Sequence, residues 1–132
     1  MIKELLINDI DKYIFLNIEK QEIMDCFKNN PFCHYIIYYE NNKVYGYLYY
    51  SDIYDRAEIN QFEVNEECRN KGIGNKLISY FVNLLNKNVT LEVKIDNYNA
   101  IHLYKKYGFK EVSIRKGYYK GIDGLLMERS VK

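Results

Sequence analysis

Two rhythms of apolar and polar residues run along this 132-residue chain, and their order sets out its elements. From His34 to Glu40 ("HYIIYYE") and from Lys43 to Ser51 the residues are largely aromatic and β-branched. Asn41 and Asn42 between them suit a tight turn, so the two runs predict a hairpin. Ala57 to Val64 extends it as a third strand, Val89 to Lys94 ("VTLEVK") reads as another, and Lys110 to Ile114 and Leu125 to Ser130 complete the sheet. Helical spacing fills the gaps. Ile73, Leu77, Ile78, Phe81, Val82 and Leu85 form one apolar stripe, closed at 86–88. Asp96 or Asn97 offers an N-cap for a helix reaching Tyr107, with Gly108 as its stop. Ahead of the hairpin, Lys3 to Ile7 reads as a short strand. Asn8 or Asp9 then caps helical sequence to about Asn30, as one helix or two, ended by Pro31.

No repeat, low-complexity stretch or linker interrupts this order, so residues 1–132 are expected to form one α/β (α+β) domain: a mixed, mostly antiparallel twisted sheet with helices on both faces. Nineteen Lys and Arg against eighteen Asp and Glu leave a formal charge of +1, which provides no broad field for nucleic acid or anionic lipid. An anion site must therefore be local. Cys26, Cys33 and Cys68 are odd in number, lack CxxC spacing and have no histidine cluster beside them, which argues against a disulfide framework or a metal site. No apolar run approaches the ~18–20 residues that span a bilayer, and "MIKELLINDIDKY" is charged too early for a signal peptide; a soluble cytoplasmic protein is expected. The 15 tyrosines accompany abundant Lys, Asn and Ile, and most of those in "YYENNKVYGYLYYSDIY" are expected to pack on a sheet, so they are not read as a base-stacking surface.

One loop stands apart. "CRNKGIGNKL" places Gly72 and Gly74 between basic side chains just before the helical stripe. Glycines permit unusual dihedrals and close approach, and the following helix offers unpaired N–H groups at the positive end of its dipole. Arg69, Lys71 and Lys76 add charge suited to a diphosphate, although an ordinary turn has the same local pattern. A dinucleotide fingerprint would need a third glycine and an acidic residue about twenty positions on, and a P-loop would need GK followed by Ser or Thr. Neither is present.

The loop is followed, one helix later, by "LEVKIDNYNAIHLYKKYGFKEVSIRKGYY". Together these segments resemble the GNAT superfamily of acetyl-CoA-dependent N-acetyltransferases. Arg69, Gly72 and Gly74 are similar to its pyrophosphate loop, and the strand, the Asn-x-x-Ala-x-x-x-Tyr helix and the Gly-Phe turn are similar to its RimI-like branch, the ribosomal-protein alanine N-acetyltransferases. "RKGYY" and "DGLLM" match that branch too, so the likeness covers about Glu58 to Met127.

The resemblance implies a sheet split near Val64 and direct acetyl transfer from acetyl-CoA to an amine. It implies Glu92 as general base and Tyr104 as the acid that protonates the leaving thiolate. Glu58, whose distance before the loop resembles that of a catalytic glutamate in the histone-acetylating branch, is a rival base. Phe62, Glu63 and Val64 would hold the pantetheine arm as an added strand, with an N–H near Val64 facing the oxyanion. Asn70, Lys71, Gly72, Ile73, Gly74 and Asn75 would nest the phosphates, Asn97 would contact the cofactor, and Tyr118 and Tyr119 the acceptor. Each also has a structural reading: Glu92 as a solvated strand residue, Tyr104 as a core aromatic, Asn97 as a helix cap, Tyr118 and Tyr119 as a packing pair. Arg115 would join the acceptor site or cap a surface ion pair.

The chain departs from the branch in "KQEIMDCFKNNPFCHY", which lacks its Pro-Trp element, and in Lys94, where Arg is usual. A protein N-terminal α-amine is the expected acceptor, with a small-molecule amine, or a coenzyme-A-binding regulatory module without turnover, as alternatives.

Overall fold

In the computed structural model, which describes residues 1–131, β1 (Ile2–Glu4) leads to a 3-10 turn at Ile7–Lys12, β2 (Ile14–Phe15) and α1 (Lys20–Asn29). Three strands follow, β3 (Cys33–Glu40), β4 (Lys43–Ile53) and β5 (Arg56–Val64), then α2 (Ile73–Leu84), β6 (Asn88–Lys94), α3 (Tyr98–Lys106), β7 (Lys110–Tyr119) and β8 (Ile122–Arg129). The main path of the sheet is β1-β3-β4-β5-β6-β8-β7, with β2 pairing β4. Only β5 with β6 and β2 with β4 run parallel, so the sheet is mixed and mostly antiparallel, as expected.

The Asn41-Asn42 turn has φ of +52° and +63°, the left-handed pair that a two-residue hairpin loop requires. The expected early helix is instead a single 3-10 turn and a two-residue strand: Tyr13 breaks the helical backbone with φ −119° and ψ +152°, and the Ile14 N–H is taken by the carbonyl of Asn42 at 2.8 Å. β7 runs five residues beyond its expected end at Ile114 because the "RKGYY" segment returns into β8.

β3 and β4 are buried on both faces, which is why "HYIIYYE" lacks alternation. One face carries Ile36, Tyr38, Leu48 and Tyr50 against α2; the other carries Tyr35, Ile37, Val44 and Tyr47 against α1 and the 3-10 turn. In β6 and β8 only the first face is closed, by Val89, Leu91, Val93, Leu125 and Met127. The opposite face, with Thr90, Glu92 and Leu126, stays partly open.

The stripe read from the sequence seats α2: Ile73, Leu77, Ile78 and Phe81 are all buried. Close seating also needs Gly46 on β4, where a Cβ would lie 3.1 Å from Leu77 Cδ1 and 3.2 Å from Ile73 Cγ2. Because β5 and β6 are parallel they need a crossover connection, and α2 supplies it. Their pairing is brief, from Arg56↔Asn88 to Ile59↔Leu91. There β5 bulges: Tyr50 faces Ile59 and Tyr49 faces Gln61, leaving Asn60 without an opposite residue on β4. From Asn60 to Val64, β5 follows β4 and leaves β6, so the sheet opens. No helix among the described residues is long and apolar enough to cross a membrane.

Phe81 is fully buried, with its ring centroid 5.0 Å from that of Tyr50. Phe81→Ala is expected to lower stability by about 3–5 kcal/mol in urea unfolding; a loss below about 1 kcal/mol would show that α2 is held elsewhere.

Candidate functional site

The opening between β5 and β6 becomes a cleft of about 900 Å³, lined by β5, the loop after it, the start of α2 and one face of α3. The loop is shaped locally. Asn65 donates its N–H to the Tyr45 carbonyl at 2.6 Å, and its side chain accepts from the Glu67 N–H at 3.0 Å. Asn70 and Gly72 then turn left-handed, with φ of +67° and +79°. Gly72 becomes the N-cap of α2, whose first intrahelical bond runs from the Lys76 N–H to the Gly72 carbonyl at 3.0 Å. The amides of Ile73, Gly74 and Asn75 precede that bond and have no intrahelical partner. The first turn carries no acidic side chain, so nothing there opposes an anion.

The strand side of the cleft is equally defined by register. Because Asn65 bonds to β4, alternate residues along β5 do the same, and Phe62 and Val64 turn their main-chain groups toward the open edge. Arg69 Nε donates to the Val64 carbonyl at 3.4 Å, leaving the Val64 N–H facing the cleft. The atoms nearest a Cβ on Gly74 would be those of Leu103, Phe62 and Val64, at 3.6–3.8 Å, so Gly74 sits against the apolar floor of the cleft.

Tyr104 projects from α3 into this cleft beside Phe62 and Phe109, with ring centroids 6.1 and 5.6 Å away. Burial, with a smaller contribution from Tyr119, pushes its phenol well above the ordinary range, so it keeps its proton at neutral pH. Asn97 caps α3 by accepting from the Ala100 N–H at 3.3 Å and also lines the cleft. Asn75 joins the helices: its side-chain oxygen accepts from Lys106 Nζ and the Tyr107 hydroxyl, both at 3.1 Å.

Glu92 lies on the other sheet face. Its side chain is 18% exposed and its Oε1 is 2.9 Å from Arg115 Nη2. Tyr118 and Tyr119 stand beside it, ring centroids 4.8 Å apart and edge to face. Tyr119 is within electrostatic reach of both candidate catalytic groups: burial first, then the Glu92 charge, raises its phenol, while Tyr119 in turn raises Tyr104.

Glu58 and Glu92 both lie outside the cleft lining. Glu58 precedes the bulge and pairs beside Thr90, on the face that also carries Glu92, with Arg56 Nη1 2.6 Å from its carboxylate. Lys71 is exposed and does not line the cleft, whereas Arg69, Asn70, Gly72, Ile73, Gly74 and Asn75 do, with Phe62, Glu63 and Val64. Sequence reasoning missed Asn99, His102, Leu103 and Lys106, although their spacing with Asn97 puts them on one face of α3. It also missed Asn17, from the loop between β2 and α1, whose side-chain oxygen is buried without a partner; an asparagine in a polar loop carries no distinguishing signal.

The sequence model of the acetyltransferase (GNAT) family matches residues 5–109. A [ribosomal protein bS18]-alanine N-acetyltransferase of Escherichia coli K12 is 30% identical over 89 residues, 64% of this chain and 60% of that protein, which is less than two thirds of its length. The crystal structure of the ribosomal-protein-S18-alanine N-acetyltransferase from Escherichia coli superposes with a TM-score of 0.82 at 21% identity, covering 100% of this chain and 94% of that one. A Bacillus subtilis protein provisionally named for the same activity is 33% identical over 104 residues, 74% of this chain and 69% of that protein. A GNAT family acetyltransferase from Elizabethkingia anophelis, crystallised with acetyl-CoA bound, superposes with a TM-score of 0.70 at 22% identity, covering 84% of this chain and 83% of that one.

Proposed function

From the premise that this chain belongs to the acetyltransferase (GNAT) family, we propose that it transfers the acetyl group of acetyl-CoA directly to the N-terminal α-amine of a protein. One observation carries the reading: the split between β5 and β6 gathers unpaired main-chain N–H groups, an unopposed helix N-terminus and the Tyr104 phenol into one cleft, with Glu92 across the sheet. The relatives named for alanine N-acetylation support the choice of acceptor.

The residues fit acetyl-CoA. The amides of Ile73, Gly74 and Asn75 and the Arg69 side chain receive the diphosphate. The open edge of β5 takes the pantetheine amides as a further strand, with Phe62 and Val64 bonding them. The Val64 N–H stabilises the oxyanion as the amine attacks the thioester carbonyl. An α-amine, with an ordinary pKa of about 8, needs little help to become neutral; Glu92 removes the remaining proton, through water where the distance requires it. Tyr104 gives its proton to the departing thiolate, whose affinity for it resembles that of a cysteine, with a pKa near 8.5. Transfer is direct, with no acyl-enzyme. Burial keeps the phenol protonated throughout the physiological range, so a proton is there to give.

Mixing the protein with acetyl-CoA, short peptides with free N-termini and small amines, and reading thiol release with product masses, tests the proposal. Acetylated peptide α-amines are expected. Acetylated small amines alone would move the acceptor to that class, and binding without transfer would favour a regulatory module.

Glu92→Gln and Tyr104→Phe are each expected to lower kcat by about 10- to 10⁴-fold with acetyl-CoA affinity retained. Near-normal rates for both would remove the assignment.

Gly72→Val forces a branched residue to φ +79° and is expected to weaken acetyl-CoA binding at least tenfold by calorimetry, with the far-ultraviolet spectrum preserved. Unchanged affinity would place the phosphates elsewhere.

kcat/KM is expected to rise through about pH 8 as the acceptor amine loses its proton. Because burial raises Tyr104 above the ordinary phenol value of about 10, kcat should not fall below that pH. A falling limb between pH 8 and 9 would point to a different acid.

A further inference from the structure

The open face of β6 holds Glu92 in an arrangement that the proposed reaction leaves unexplained. Glu92 is the more buried partner of an ion pair whose other member, Arg115, is 58% exposed. Exposed pairs of this kind contribute little unless the cation is itself fixed. Here it is fixed. The β7–β8 register shifts between Arg115 and Tyr119, and this irregular end is pinned by the Gly117 N–H donating to Asp123 Oδ1 at 2.9 Å and by Lys116 Nζ at 3.6 Å from Asp123 Oδ2. The Arg115 guanidinium carbon lies over the Tyr118 ring, 4.5 Å from its centroid. The planar cation is thus held between a ring and a carboxylate, a geometry in which lysine is a poor substitute.

The other nearby cation does not compete. Lys94, two residues along the same face of β6, lies over the Tyr119 ring at 5.8 Å and forms no ion pair among the described residues. The Arg115 contact reaches Oε1 of the carboxylate.

We infer that Arg115, braced by Tyr118, is a positioning residue that holds one oxygen of Glu92 so that the other faces the acceptor amine or its bridging water. This rests on the proposed role of Glu92 as base. A guanidinium holding one carboxylate oxygen fixes the rotation of the group without occupying the oxygen that takes the proton.

The test compares the unaltered protein with Arg115→Met, Arg115→Lys, Glu92→Gln and the double variant Arg115→Met/Glu92→Gln. The reaction contains acetyl-CoA and a hexapeptide beginning with alanine, with fold checked by circular dichroism. Arg115→Met is expected to lower kcat about tenfold, with KM for both substrates within about twofold, and Arg115→Lys to recover part of the rate. In the Glu92→Gln background Arg115→Met should change kcat little further, because its effect passes through Glu92. A raised peptide KM with kcat intact would make Arg115 an acceptor contact and overturn the inference. So would a kcat that increases on removal of Arg115, or a full effect that persists without Glu92. Absence of turnover by the unaltered protein on every amine tried would overturn the proposed function and this inference with it.

Discussion

The short parallel pairing of β5 with β6 is the constraint on which the rest depends. Four residue pairs, ending at Ile59↔Leu91, hold the two halves of the sheet together. Beyond them the extra residue at Asn60 keeps β5 with β4 and releases its other edge. A free edge in the middle of a sheet exposes main-chain donors and acceptors that elsewhere are paired or covered. Here it is flanked by a helix N-terminus and by a buried phenol, so its unpaired groups face a cleft of molecular size.

Stability and chemistry are carried by the same residues in different atoms. Ile73 is a core side chain, 6% exposed, while its amide belongs to the first turn of α2 and has no intrahelical partner. Gly46 makes no contribution to the cleft lining, yet it lets α2 sit close enough to β4 for that first turn to reach the mouth. Asn75 spends its side chain on Lys106 and Tyr107, which fixes α3, and thereby Tyr104, relative to the loop. Burial of the apolar stripe, worth about 1.5–3 kcal/mol per large side chain, therefore also orients the donors.

The sheet separates the two candidate proton-handling groups. Tyr104 lies on the closed face, where burial keeps its proton in place; Glu92 lies on the half-open face, its carboxylate 2.9 Å from Arg115. α1 covers only the β3–β4 part of that second face, so the part bearing Glu92, Tyr118 and Tyr119 remains accessible. Tyr119 is close enough to both sides to sense each.

Signals carried by neighbouring residues were legible without coordinates. The Asn41-Asn42 turn, the α2 stripe, the Asn97 cap and the left-handed Gly72 all depend on a few consecutive positions, and each stands where the chain's own pattern placed it. The family likeness of the glycine loop and of the strand and helix after it was legible for the same reason, since it rests on motifs of fixed local spacing. Tertiary structure alone decided that Glu58 lies in the closed ladder beside Arg56, that Asn17 reaches the cleft, that Tyr13 and Ile14 leave the helix for an edge of β4, and that Arg115 meets Glu92. Each of these joins segments distant along the chain, and strand register and bulges, which no local window contains, determine which of them meet.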